Sequence, residues 1–206
     1  MKTFGAYAAL FVALCIPARA MAQTNCFVGP AANCVDVGPH PLPTSVAAFE
    51  GLQERLMAAD TPQQKAMGGA ALFAIAAMVR TYDEVLGKAL LVLALDPSAR
   101  APSAKGGPGA WSKANDYYIQ RLAQRKGLVG SYAVGTVPDR DYAIDPGKPV
   151  TVRFRRQTKF VSDPKSGKTK VFVCTPGAKT CRPMQMARDA TGIWRVTGFS
   201  SFTIGF

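Results

Sequence analysis

Few residues in this chain are equipped for catalysis. The single histidine is His40, and a Ser–His–Asp or Cys–His arrangement needs a histidine as its base. Gly38, Pro39, Pro41 and Pro43 flank it, which predicts an exposed loop rather than a catalytic position. Glu50 and Glu54 stand four residues apart. Paired carboxylates can serve glycoside hydrolysis, but on one helix face this pair reads as a solvated surface. Asp139, Asp141 and Asp145 offer the oxygen ligands that suit calcium. Arg140 and Lys148 sit among them, and Pro138-Asp139 and Asp145-Pro146 are ordinary turn steps. The Gly106-Gly107-Pro108-Gly109 run follows no predicted strand, so it is not a phosphate-cradling loop. The expectation is a protein with no catalytic residue, no cofactor and no metal.

Cysteines and cations carry the stronger signals. Cys26, Cys34, Cys174 and Cys181 lie beyond the first 22 residues, and an even number in an exported chain predicts disulfides. Proximity favours Cys26–Cys34 and Cys174–Cys181; the second pair would clamp the turn Thr175-Pro176-Gly177-Ala178-Lys179-Thr180. Neither pair has C-x-x-C spacing, which argues against zinc. The chain carries a formal charge of +12 over 206 residues. Arg153, Arg155, Arg156, Lys159, Lys165, Lys168 and Lys170 gather on two predicted strands and their turn. Alternation puts Arg153 and Arg155 on one face. Such a patch can grip an anionic polymer, or simply blunt a sheet edge.

The elements that position these groups follow from the apolar pattern. Met1-Lys2, the apolar stretch from Phe4 to Ile16, Pro17, and the small-x-small steps Ala18-Arg19-Ala20 and Ala20-Met21-Ala22 predict a secretory signal peptide over residues 1–22. Residues 23–43, rich in Pro and Gly, read as an irregular arm. Residues 44–206 read as one α+β domain, with a helical half over 44–126 and a sheet half over 127–206. About four helices are predicted, over residues 45–59, from Thr61-Pro62-Gln63-Gln64 to Val79, over 83–95 and over 112–124. The second begins with a capping-box pattern and is apolar nearly all round. At about 14 residues before Arg80 its apolar run is too short to span a bilayer. Strands are predicted over 128–136, 150–155, 170–174, 181–187 and 193–204, an antiparallel sheet of about four to five strands.

From about Thr61 onward, and most specifically after Ser131, the chain resembles a bacterial family known only as a domain of unknown function. The resemblance rests on Ser131-Tyr132-Ala133-Val134-Gly135-Thr136-Val137-Pro138, Val171-Phe172-Val173-Cys174, Cys181-Arg182-Pro183, Gly192-Ile193-Trp194 and Phe199-Ser200-Ser201. It implies an α+β fold and no activity. Among these residues Trp194 is expected to pack against the helices, and a groove lined by Tyr132, Arg182 and Trp194 is the functional alternative.

These readings converge on an exported, soluble, non-catalytic binding or interaction module of the bacterial envelope, periplasmic or secreted. Its candidate surface comprises Arg153, Arg155, Lys170, Tyr132, Arg182 and Trp194. An anionic envelope polymer or another exported protein fits the charge; nucleic acid is a poor partner outside the cytoplasm. An envelope-polymer hydrolase and a secretion-system effector or immunity protein are the alternatives. N-terminal sequencing of the exported protein should begin at Gln23, and a non-reduced digest should link Cys26 to Cys34. An intact Met1 start, or Cys34 joined to Cys174, would overturn these assignments.

Overall fold

The computed structural model describes residues 33–101, 111–156, 162–163, 167–175 and 181–204. Five helices precede most of the sheet: α1 (Val46–Met57), α2 (Pro62–Arg80), α3 (Glu84–Ala94), α4 (Lys113–Gln124) and the short α5 (Lys126–Gly130). The strands are β1 (Cys34–His40), β2 (Val150–Arg155), β3 (Ser162–Asp163), β4 (Lys168–Cys174), β5 (Arg182–Arg188) and β6 (Trp194–Gly198). The sheet is antiparallel in the order β1-β2-β4-β5-β6, with β3 pairing β4 beside that path. The α+β architecture expected from the sequence is therefore present.

The helix starts are set by local chemistry. Ser45 accepts a hydrogen bond from the Ala48 N–H at 3.1 Å, and Asp83 accepts one from the Leu86 N–H at 2.9 Å. At Thr61 the capping box closes both ways. The Thr61 hydroxyl accepts from the Gln64 N–H at 3.2 Å, and Gln64 Oε1 accepts from the Thr61 N–H at 3.0 Å. Pro62 occupies the first turn, where no intrahelical N–H is needed.

α2 is the hub. Every residue from Ala66 to Arg80 is buried, which explains why its apolar residues show no single stripe. It packs against α1, α3 and strands of the sheet. The approach is closest at Gly69, where a Cβ would run into the Trp194 carbonyl. The chain's end closes the same core. The 3₁₀ turn Ser200–Thr203 brings Phe202 to 5.8 Å from Phe73, and Phe199 lies 4.7 Å from Phe73, centroid to centroid. Arg80, the one charge at the buried end of α2, donates from Nη1 to the Ile119 carbonyl at 2.6 Å and lies 5.6 Å from the Trp111 ring centroid. Burial lowers its pKa, against the opposing pull of Glu84 and Asp116.

Four sequence expectations are corrected. The arm over 23–43 is not irregular throughout, since Cys34–His40 forms the edge strand β1. His40 is consequently not in an exposed loop. It lies half-buried opposite Val150, and burial with the nearby Arg55 charge lowers its pKa. The strand expected over 128–136 is instead α5 followed by turns, with one bridge from Ala133 to Val152. Gly127 and Gly130 let the loop at Asp141 and Tyr142 lie directly on α5, which favours a helical turn there over an extended strand. The last strand stops at Gly198 rather than running to Ile204, because Phe199 and Phe202 turn back to bury against α2.

Two glycine substitutions separate packing from helix propensity. Gly69→Ala should destabilise by about 1–3 kcal/mol through overpacking. Gly51→Ala, where a Cβ meets only Arg55 Nη1 at 3.8 Å, should be neutral or stabilise by up to about 1 kcal/mol. Urea unfolding of both proteins checks the contrast; equal effects would show that α2 is not pinned at Gly69.

Candidate functional site

Alternation along the strands divides the sheet into two chemically distinct faces. Val150, Val152 and Phe154 of β2 and Thr169, Val171 and Val173 of β4 turn inward and are buried. Thr151, Arg153, Arg155, Lys168, Lys170 and Phe172 take the opposite face. Among the described residues no helix covers that outer face.

Arg153 sits directly across from Asp36 in the β1–β2 register. The pair is bidentate, with Nε to Oδ1 at 2.6 Å and Nη2 to Oδ2 at 2.7 Å, the fork geometry that makes Arg–carboxylate pairs specific. Hydrogen bonding to Asp36 raises the Arg153 pKa against the effect of burial. Two residues on, the Arg155 guanidinium lies over the Phe172 ring, 4.6 Å from its centroid, a cation–π arrangement. Lys168 and Lys170 are exposed on β4. Arg153, Arg155 and Lys170 therefore do share a surface, as expected from their spacing.

Covalent bonds brace the same surface. Cys174 and Cys181 form a disulfide, so the pairing expected from proximity is present. Cys34 is also disulfide-bonded; its expected partner, Cys26, lies outside the described residues. Cys34 and Phe172 pack against the Cys174–Cys181 pair in a small apolar cluster, separate from the main core. Lys159 and Lys165, expected in the basic turn, fall outside the described residues.

The other candidate residues do not join this surface. Tyr132 is 1 % exposed and Trp194 4 %, so neither offers a face to a ligand. The Tyr132 ring stacks on Phe202 at 3.9 Å, and its hydroxyl donates to the Phe202 carbonyl at 2.9 Å. Burial drives its phenol pKa upward, with the Arg182 charge opposing. Arg182 shares the inner side with Met184, since it pairs with Val173. Trp194 pairs with Arg188 at the far end of β5, six residues from Arg182, or about 20 Å at roughly 3.3 Å per residue. The three do not form one groove. Trp194 packs in the core, as its strand position suggested.

Sequence reasoning passed over Asp36 and Phe172. The signal for both was period-2 alternation: Val35 and Val37 flank Asp36, and Val171 and Val173 flank Phe172. The prolines around His40 obscured the first. The carboxylates considered for chemistry also stay apart. Glu50 and Glu54 lie exposed on α1, and Asp145 accepts from the Gly147 N–H at 3.0 Å in a local turn. Among the described residues no group of three or more His, Cys, Asp or Glu is placed to hold a metal ion, and no helix is long and apolar enough to cross a membrane.

Reducing Cys174–Cys181 should cost about 2–3 kcal/mol for so short a loop in the chain-entropy model. Denaturant unfolding of the Cys174→Ser/Cys181→Ser protein checks this. A loss well below 1 kcal/mol would show that strand pairing alone holds this surface.

The family described as Domain of unknown function (DUF6935) matches residues 41–206, and the chain belongs to that family. The match begins just after β1, well before the Thr61 start of the resemblance noted from sequence. No curated protein and no solved structure matches the chain.

Proposed function

We propose that this member of a family without an assigned activity is an exported, non-catalytic binding module that holds an anionic polymer of the cell envelope. Its helix-free sheet face would be the contact surface. The observation that carries the proposal is the gathering of Arg153, Arg155, Lys168 and Lys170 on that face, with Asp36 across from Arg153 and Asp163 across from Lys168 in the strand register. Asp36 holds the Arg153 fork in place and offsets its charge. The exposed lysines and Arg155 then supply the net attraction, and the Phe172 ring beneath Arg155 supplies a flat apolar floor. An extended open face suits a repeating polymer better than a small molecule, which needs a concave site.

Export is supported by the basic-apolar-small pattern of residues 1–22. It is also consistent with the Cys174–Cys181 disulfide, since such bonds persist in oxidising compartments. The chemistry wanted in the partner is a dense row of carboxylates or phosphates, as in peptidoglycan or lipopolysaccharide.

Co-sedimentation with purified sacculi and with lipopolysaccharide tests the proposal. The protein should pellet at low salt and be released at high salt, because screening shortens from about 10 Å at 0.1 M to about 3 Å at 1 M. Lys168→Glu/Lys170→Glu should weaken binding at least about tenfold, at roughly 1 kcal/mol per surface charge, with the unfolding midpoint unchanged. Retention that ignores both salt and the double reversal would sink the proposal.

A further inference from the structure

We propose a second binding site, for a carboxylate-bearing saccharide, in the cleft between α4 and the loop at Asp141 and Tyr142. It stands independently of the sheet-face proposal. Two adjoining cavities, about 380 Å³ and 250 Å³, share Gln124 and Arg125 as lining residues. Small-ligand sites have about this size, roughly 300–1,000 Å³. One side is a stripe of α4: Tyr117, Gln120, Arg121 and Gln124 recur at the i, i+3, i+4, i+7 spacing of one helix face. Ile119 and Leu122, on the other face, are buried in the core.

Of the cations lining the cleft, Arg121, Arg125 and Lys126, the two arginines are held in place before any ligand arrives. Arg121 donates from Nε to the Thr203 carbonyl at 3.2 Å and from Nη1 to the Tyr117 hydroxyl oxygen at 2.8 Å. Arg125 donates from Nη1 to the Ile204 carbonyl at 3.3 Å. Among the described residues these bonds leave Arg121 Nη2 and Arg125 Nε and Nη2 with donors to offer. The planar fork of a guanidinium matches a carboxylate's geometry, and two such groups stand one helical turn apart here.

The far wall is equally fixed. Asp141 and Tyr142 both have left-handed backbones, with φ of 48° and 51°, held by bonds from their N–H groups to the Pro138 and Val137 carbonyls at 2.8 and 3.0 Å. Non-glycine residues adopt this conformation only where the surroundings hold it, and it places Asp141 against Gly127 at the cleft wall.

The remaining groups point to a sugar rather than a bare anion. Gln120 and Gln124 bring amides, which both donate to and accept from hydroxyls. Asp141 adds an acceptor, and Tyr117, 61 % exposed, offers a ring face to the apolar C–H side of a pyranose. Inorganic phosphate would use the arginines and leave the ring, the amides and the aspartate idle.

Titration of the whole protein with glucuronic acid, glucose and inorganic phosphate, followed by protein NMR, tests the site. Glucuronic acid should bind saturably, shift Tyr117, Gln124 and Tyr142, and bind at least about tenfold more tightly than glucose or phosphate. Arg125→Gln should lose about tenfold in glucuronic acid affinity at an unchanged melting temperature, and Lys168→Glu/Lys170→Glu should bind it like the parent. If Arg125→Gln disturbs folding, the three-ligand comparison on the parent protein still decides. Equal binding of glucose or of phosphate, shifts confined to other residues, no saturable binding, or loss of glucuronic acid binding in the lysine double variant would each overturn the site.

Discussion

The rest of the structure depends on the burial of α2 on all sides. A helix with no exposed stripe must be wrapped, and α1, α3, the sheet and the C-terminal turn together do the wrapping. Helices usually stand about 8–10 Å from their neighbours, and closer approach to α2 comes where a glycine on either side of the contact omits a side chain. Gly69 lies against the Trp194 carbonyl, and Gly87 of α3 lies against the Arg80 backbone. These glycines weaken helices in isolation. Here the cost is offset by the packing of the sheet end and of α3.

Covering one face of the sheet with α2 leaves the other to different chemistry. The inner residues of β2 and β4 are locked into the core, so the outer residues are the ones able to carry charge. Their arrangement is structured: Asp36 across the edge pair fixes Arg153, Phe172 supports Arg155, and the Cys174–Cys181 bridge ties β4 to the start of β5. β1 matters twice over. It covers the edge of β2, and it brings Asp36, the acid that holds the Arg153 fork. The α4 cleft follows the same principle, with main-chain carbonyls near the chain end setting the pose of Arg121 and Arg125.

The helical half was largely legible from sequence because its signals are local. Thr61, Pro62 and Gln64 mark a helix start whose hydrogen bonds reach only three residues, and Ser45 and Asp83 mark two more. β2 was legible because its alternation is strict. The failures were at β1, α5 and the chain end. Prolines masked the alternation around Asp36. At α5 a β-rich stretch yielded to contacts with a loop more than ten residues away, and after Gly198 two phenylalanines found burial against α2.

The sequence by itself determined what depends on near neighbours: the helix caps, the buried character of α2, the two faces of β2, and the Cys174–Cys181 pairing across a short turn. It also singled out Arg153, Arg155 and Lys170, since period-2 alternation requires no knowledge of the fold. The tertiary structure alone decided which charges meet. Asp36 and Arg153 are 117 residues apart, and Arg121 and Thr203 are 82 apart. Pairings at such separation are set by strand register and helix packing, which are collective properties of the whole core. For the same reason only the fold could show that Tyr132 is an interior residue and that Trp194 meets β5 at the end opposite Arg182.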